Sequence, residues 1–147
     1  MISLKEALLA LKTARNLIAL PIGVTMTYEV GAEGAHTPFG ESPAETASAL
    51  TTAGADFIGS NCGTGFEDML VVARTLRDST RLQLLMQPNA GLPELEGDRI
   101  VYPGTPKHFG EFVKNIRAIG VEYVGGCCGT RPDHIRMANS LLADFTA

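Results

Sequence analysis

The stretch Gly125-Gly126-Cys127-Cys128-Gly129-Thr130 and the earlier stretch Ser60-Asn61-Cys62-Gly63-Thr64 hold all three cysteines of this 147-residue chain. They belong to a longer repeat, because residues 53–64 can be laid over residues 119–130 with Cys62 above Cys128. Each copy reads as the end of a helix, a short apolar strand, a cysteine and the start of another helix. The repeat therefore predicts that the cysteines lie at equivalent ends of two strands, where three sulfurs can meet.

Helical periodicity alternates with short β-rich runs along the rest of the chain. Capping-box patterns begin at Ser42 and Thr64, and Thr130-Arg131-Pro132-Asp133 is expected to cap the last helix. The predicted strands are Pro21–Thr27, Asp56–Ser60, Leu82–Gln87 and Glu122–Gly125, between helices over 3–19, 43–54, 65–78 and 105–120 and before one that follows 131. This alternation predicts an α/β fold with a parallel sheet and right-handed crossovers.

The composition suits one globular domain over residues 1–147, with 45% hydrophobic and 19% charged residues and a formal charge of −4. No basic face for nucleic acid is visible, and no segment approaches the roughly 20 apolar residues of a membrane helix. Met1–Leu20 carries charges where a signal peptide would be apolar. We therefore expect a cytoplasmic protein, in which an odd number of cysteines favours thiol or metal chemistry over disulfides.

The cysteines themselves admit two interpretations. Zinc takes thiolate ligands in tetrahedral geometry, and a site with three protein ligands keeps one position open for chemistry. Cys127 and Cys128 would point in opposite directions in a regular strand, so they can share a metal only where the backbone bends, which the flanking glycines allow. The alternative is that Cys62 and Cys127 are ordinary buried small residues.

Other polar features give weaker signals. His36, His108 and His134 have no HxxxH or HxH spacing and are expected to be surface or capping residues. Gly63-Thr64-Gly65 lacks the rest of a phosphate-binding motif, so a helix-capping turn is the favoured interpretation. Asp56 and Glu122 stand at equivalent strand starts and are expected to be structural.

Two long segments, Tyr28–Ser42 and Pro88–Gly104, are predicted to be loops at the carboxyl ends of the strands, beside the cysteines. That face carries the active sites of α/β folds. Loops of this length in a compact domain are usually functional.

Several motifs together resemble the homocysteine S-methyltransferase family, over roughly Pro21 to Met137. They are PIGVTMT at 21–27, GSNC at 59–62, QPNAGLP at 87–93, VYP at 101–103 and GGCCGT at 125–130. The resemblance implies a zinc site made by Cys62, Cys127 and Cys128, and assigns Asn61, Asn89 and Gly126 to substrate binding. It also implies a (β/α)8 TIM barrel in which zinc activates the thiol of homocysteine for methyl transfer to give methionine.

This chain departs from the family in size. Four predicted βα units resemble the second half of a barrel that needs about 250 residues. We therefore expect a half-barrel domain that forms a homodimer or joins a separate amino-terminal half-barrel subunit, since open strand edges invite pairing. The methyl donor is expected to be external, with methylcobalamin on a corrinoid protein or S-methylmethionine as candidates. The alternative is a non-catalytic zinc-binding or thiol-binding module, or a truncated relic of such an enzyme.

Overall fold

A computed structural model describes residues 1–143 of the chain. The helices and strands, in chain order, are α1 (Leu4–Leu17), β1 (Gly23–Met26), β2 (Glu29–Gly31), β3 (Gly34–His36), α2 (Pro43–Thr52), β4 (Phe57–Asn61), α3 (Phe66–Ser79), β5 (Gln83–Gln87), β6 (Glu94–Glu96), β7 (Arg99–Val101), α4 (Pro106–Ala118), β8 (Tyr123–Val124) and α5 (Pro132–Ala143). The longest helices have 14 residues, and no described helix is long and apolar enough to cross a membrane.

Four strands form one parallel sheet in the order β1-β4-β5-β8, which confirms the predicted α/β fold. The register aligns Met26, Ser60, Met86 and Val124 on the face that the helices cover. The first three of these are buried, and Met26 and Met86 belong to a single apolar core shared with the helices. The opposite face carries Tyr123, which remains exposed.

The two segments predicted to be loops each contain an antiparallel hairpin. The first pairs β2 with β3, and the second pairs β6 with β7. His36 therefore lies in a strand. The sequence did not predict these strands, because each has only three residues and depends on hydrogen bonds to its partner.

Two of the three predicted helix caps differ from the expectation, whereas the Ser42 capping box is present. The helix after Thr64 begins at Phe66 with Gly65 at the N-cap and no side-chain cap, so the prediction of a Thr64 capping box was wrong. Thr130 does not cap the last helix either. Among the described residues, the hydroxyls of Thr64 and Thr130 have no hydrogen-bond partner, because both are turned into the protein.

At the amino ends of the strands, an arginine pairs with an acidic side chain and donates to two backbone carbonyls. We call this arrangement an arginine clasp, and it occurs twice. Arg15, on α1, donates to the carbonyls of Leu20 and Gly54 and pairs with Asp56, whose carboxylate also accepts the Ile22 N–H at 2.6 Å.

The second clasp has the same parts at the corresponding positions. Arg77, on α3, donates to the carbonyls of Leu82 and Gly120 and pairs with Glu122, whose carboxylate accepts the Leu84 N–H at 2.8 Å. The internal repeat therefore extends beyond the cysteine loops to α1 and α3, and both acids hold neighbouring strands together.

Candidate metal centre

The three cysteine sulfurs lie together at the carboxyl ends of the strands. Cys62 follows the last residue of β4, and Cys127 and Cys128 follow β8 after two glycines. The Sγ atom of Cys128 is 4.0 Å from that of Cys62 and 3.9 Å from that of Cys127, and all three sulfurs lie within 4.8 Å of one another. Because β8 ends at Val124, the adjacent cysteines are free of strand alternation and can present both sulfurs to one point.

Left-handed backbone conformations turn each cysteine loop sharply. Cys62 itself has a φ of 60° and Gly63 a φ of 71°, while Gly129 in the second loop has a φ of 80°. A Cβ on Gly129 would lie 2.3 Å from Cβ of Tyr102, so only glycine fits there. A left-handed φ is costly for a residue with a side chain, so the position of Cys62 depends on its surroundings.

The segment Gln87–Ala90, at the end of β5, joins the two cysteine loops through backbone hydrogen bonds. The Cys62 N–H donates to the Gln87 carbonyl at 3.0 Å, and the Cys127 N–H donates to the Pro88 carbonyl at 2.8 Å. In the other direction, the Asn89 N–H donates to Thr64 and the Ala90 N–H to Cys128. The Gln87–Ala90 segment, which contains no cysteine, therefore holds both cysteine loops in place.

Asn89 adds its side chain to this arrangement. The residue is only 5% exposed, its Oδ1 accepts the Cys128 N–H at 3.2 Å, and its side chain also hydrogen-bonds to Cys62. Both cysteine loops therefore use the Asn89 side chain. The structure shows Asn89 supporting the cysteine loops, and its contact with a substrate, which the sequence resemblance implied, stays a prediction.

The other two predicted substrate residues have different positions. Asn61 is half-buried at the end of β4, one residue before Cys62. Gly126 lies against Thr130, where a Cβ would come within 2.3 Å of the threonine hydroxyl. Gly126 thus gives the Cys127 loop room to turn, and contact of either residue with a substrate stays a prediction.

The buried residue His134 supports the site from α5. Its Nδ1 accepts the Arg131 N–H at 3.1 Å, so Nε2 carries the proton and donates to the Gly104 carbonyl at 2.9 Å. The Gly104 N–H in turn donates to Ala90, whose own N–H donates to Cys128. The expectation that His134 caps a helix agrees with this geometry, but a surface position was wrong, because His134 is fully buried.

The thiols of Cys62 and Cys127 have unequal acidities. Burial by itself raises the pKa of Cys62, but hydrogen bonds from the Gly63 backbone, the two neighbouring thiols and Asn89 outweigh it and leave the pKa lowered. Burial and the negative charge of Cys62 raise the pKa of Cys127 to about 11. Of these two thiols, Cys62 is therefore the more acidic.

Tyr102 also contacts the cluster and was not predicted as a site residue. It is half-buried, it follows the second hairpin, and its hydroxyl hydrogen-bonds to Cys128, which raises the pKa of the phenol. The signal that could have found it is the VYP motif, because this motif lies at the end of a long segment on the cysteine face.

The fold and the site define a class: a parallel half-barrel of βα units with three thiols at its carboxyl face. The sequence profile of the homocysteine S-methyltransferase family matches residues 1–142. The chain belongs to this family.

Individual relatives agree with this assignment. Over 144 residues the chain is 35% identical to the methionine synthase of Mycobacterium leprae, covering 97% of this chain and 12% of the relative. It is 32% identical over 156 residues to the S-methylmethionine–homocysteine S-methyltransferase BHMT2 of Rattus norvegicus, covering 95% and 42%. The chain thus spans less than half the length of these curated relatives.

A comparison with solved structures agrees with the family assignment. The apo form of the homocysteine methyltransferase MmuM from Escherichia coli superposes with a TM-score of 0.72 at 18% identity, covering 96% of this chain and 46% of MmuM. A likeness at this identity concerns the fold. It confirms that the four-stranded sheet corresponds to part of a homocysteine methyltransferase fold.

Proposed function

We propose that this chain is the zinc-bearing part of a cytoplasmic homocysteine S-methyltransferase, with Cys62, Cys127 and Cys128 as the metal ligands. The observation that carries the proposal is the spacing of the sulfurs. Zn–S bonds of about 2.3 Å in a tetrahedral site place two sulfurs about 3.8 Å apart. The separations of 3.9 and 4.0 Å for two of the sulfur pairs are close to that distance, and the third pair lies within 4.8 Å.

The donor set and the neighbouring residues fit the same metal. Three thiolates match zinc and leave one of four positions open, as catalytic zinc sites do. Zinc would supply a positive charge that lowers the pKa of an added thiol, so that homocysteine reacts as a thiolate at neutral pH. The E. coli relative MmuM has also been solved in a metallated form.

The chain's own residues would keep the sulfurs in place during the reaction. The backbone of Gln87–Ala90 and the side chain of Asn89 hold both cysteine loops, and Tyr102 hydrogen-bonds to Cys128. In the proposed reaction, the homocysteine sulfur forms a bond to the methyl carbon as the bond from that carbon to the donor breaks. Because the thiol already binds as a thiolate, no separate general base is needed.

The methyl donor is external in this proposal. The relatives include a methionine synthase and an enzyme named for S-methylmethionine, so methylcobalamin on a corrinoid protein and S-methylmethionine are the two candidates. Assays with each donor in turn distinguish them. The remaining part of the barrel would come from a second copy of the chain or from a separate amino-terminal half.

Metal analysis and X-ray absorption at the zinc edge test the proposal. We expect one zinc per chain, bound to three sulfurs and one oxygen or nitrogen, and a change to four sulfurs when homocysteine is added. Methionine should leave the spectrum unchanged, because its thioether is a poor zinc ligand. Zinc-free protein after incubation with excess zinc would overturn the proposal.

A second candidate is a non-catalytic zinc-binding or thiol-binding module. This candidate is considered because the chain covers only part of its relatives, for example 42% of BHMT2. It predicts zinc binding with no methionine formed from homocysteine and either donor, even when an amino-terminal half-barrel is supplied. Methionine formation under those conditions would exclude it.

A further inference from the structure

A series of hydrogen bonds connects the Cys128 carbonyl to the first turn of α5 by a route outside the main chain. The Ala90 N–H donates to the Cys128 carbonyl at 2.8 Å, and the Gly104 N–H donates to the Ala90 carbonyl at 2.7 Å. The Gly104 carbonyl accepts the N–H of His134 Nε2 at 2.9 Å, and His134 Nδ1 accepts the Arg131 N–H at 3.1 Å. Because only two residues separate Cys128 from Arg131, these bonds close a ring around the end of the cysteine turn.

His134 joins this ring through its side chain, whereas the other members use their backbones. It is fully buried, and its imidazole packs edge-on against Phe109 with ring centroids 6.0 Å apart. Because the imidazole is rigid, its acceptor at Nδ1 and its donor at Nε2 have a fixed separation. His134 therefore sets the distance between the start of α5 and the backbone at Gly104.

The Gly104 partner of His134 lies at a position that only glycine fits. A Cβ on Gly104 would come within 2.4 Å of the Ala90 carbonyl carbon and 2.9 Å of the Phe66 ring. The two ends of segment 90–104, which contains the β6–β7 hairpin, therefore meet at the Ala90–Gly104 hydrogen bond. His134 fastens that closed base to the helix that follows the cysteine turn.

The start of α2 shows what a capping side chain does at the same helical position. Ser42 precedes α2, and the carboxylate of Glu45, three residues later, accepts the Ser42 N–H at 2.7 Å. His134 has the same spacing from Arg131 and accepts its N–H in the same way. A carboxylate could make that bond, but it has no N–H for the Gly104 carbonyl. The histidine therefore meets a second requirement, which lies outside the helix.

The first copy of the repeat has a different residue at this position. When Cys62 is laid over Cys128, Asp68 takes the place of His134, and α3 begins without a side-chain cap. The first copy presents one sulfur, whereas the second must direct two adjacent sulfurs to one point. The histidine thus occurs in the copy whose turn has the stricter geometric requirement.

We propose that His134 is a positioning residue for the metal site. It closes the ring that holds the Cys128 carbonyl, and it thereby fixes the turn from which Cys127 and Cys128 present their sulfurs. Loss of the Nε2 donor would release Gly104 and then Ala90, so the two sulfurs would no longer be held beside Cys62. This inference rests on the proposed function, because the metal is the one proposed there.

Two variants separate the two hydrogen bonds of His134. His134→Gln keeps an acceptor for Arg131 and an N–H that can reach Gly104, because its amide carries both groups. His134→Asn keeps the acceptor but is too short to reach Gly104. In metal-free protein, hydrogen exchange followed by NMR should show the Ala90 and Gly104 amides exchanging about tenfold faster in His134→Asn than in wild type. His134→Gln should restore rates close to those of wild type.

Zinc affinity gives the second measurement. Competition with a chromophoric chelator should show about tenfold weaker binding for His134→Asn, and binding within about twofold of wild type for His134→Gln. Ile116→Val is the matched control, because Ile116 is fully buried on α4 and its substitution lowers stability at a position outside the ring. Circular dichroism of each variant confirms that it is folded.

The inference is overturned if His134→Asn keeps wild-type exchange rates or wild-type zinc affinity, or if His134→Asn and His134→Gln lose equally. It is also overturned if Ile116→Val loses as much zinc affinity as His134→Asn, because affinity would then follow overall stability. If the wild-type chain binds no zinc, the proposed function fails. The exchange rates of the metal-free variants still decide whether His134 holds the cysteine turn.

Discussion

The two copies of the repeat share a scaffold and differ in what surrounds them. Each has an arginine clasp at one end of its strands and a cysteine turn at the other. The first copy contributes one sulfur and the second contributes two, and an open groove lies between α4, β8 and α5 of the second copy. The comparison shows that the repeat provides a shared backbone scaffold. The three-sulfur site depends on the positions at which the two copies differ.

The cysteines give the largest expected effect. Replacing Cys62, Cys127 or Cys128 with serine should remove most of the bound zinc, because a site with three protein ligands has no spare donor. Elemental analysis of the purified variants measures this. Asn61→Ala is the control, since Asn61 has the position in the first copy that Cys127 has in the second. Full zinc in all three serine variants would contradict the proposed site.

Asn89 connects the copies, so its removal should affect both. Asn89→Ala removes a buried side chain and leaves the Cys128 N–H without its acceptor, and we expect the free energy of unfolding to fall by about 1–3 kcal/mol. Urea denaturation of metal-free protein measures the change. Asn115→Ala on the exposed surface of α4 should stay within about 0.5 kcal/mol of wild type. Equal effects of the two substitutions would mean that Asn89 does not hold the loops.

The arginine clasps should differ in strength. The Arg77 side chain is 19% exposed and also donates to the Thr80 carbonyl at 2.6 Å, whereas Arg15 is 34% exposed. We expect Arg77→Met to lower the free energy of unfolding by about 2 kcal/mol and Arg15→Met by about 1 kcal/mol.

Urea denaturation checks this order, with Arg74→Met as the control, because Arg74 is exposed on the same helix as Arg77. A larger loss for Arg15→Met than for Arg77→Met would show that the second clasp is not the stronger one.

The smallest expected effect is a change in how the stability of the protein depends on pH. The Ile22 N–H and the Arg15 guanidinium hold the pKa of Asp56 below its ordinary value of 3.8. Its stabilisation is therefore complete above about pH 4 and is lost as the pH falls through the lower folded value. Asp56→Asn should flatten the decline of stability in acid, which thermal unfolding from pH 2 to pH 6 measures. A decline as steep as that of wild type would assign the acid sensitivity to other carboxylates.

The sequence predicted the parts of the fold that depend on local signals. Short β-rich runs of four to seven residues predicted all four parallel strands, and Ser42 with Glu45 forms the predicted capping box. It missed the hairpins, whose strands of three residues are stabilised only by pairing. Thr64 was assigned to a cap because its neighbours match the pattern, yet tertiary packing turns its hydroxyl inward.

The candidate site, like the fold, could be predicted from the sequence only in part. The three cysteines could be chosen as metal ligands from their repeated setting, because equivalent ends of parallel strands meet at one face of a sheet. The supporting roles of Asn89 and His134 could not be predicted. Each depends on hydrogen bonds to residues 30 or more positions away.

By itself, the sequence determined the order of the four parallel strands and the helices between them, the repeat and the identity of the donor atoms, because these follow from periodicity, glycine positions and residue chemistry. Only the tertiary structure decided that the sulfurs lie 3.9 and 4.0 Å apart, that Gln87–Ala90 joins their loops, and that β8 and α5 form the open side. The physical reason is that distances and exposure depend on which distant segments pack together. No local pattern in the chain contains that information.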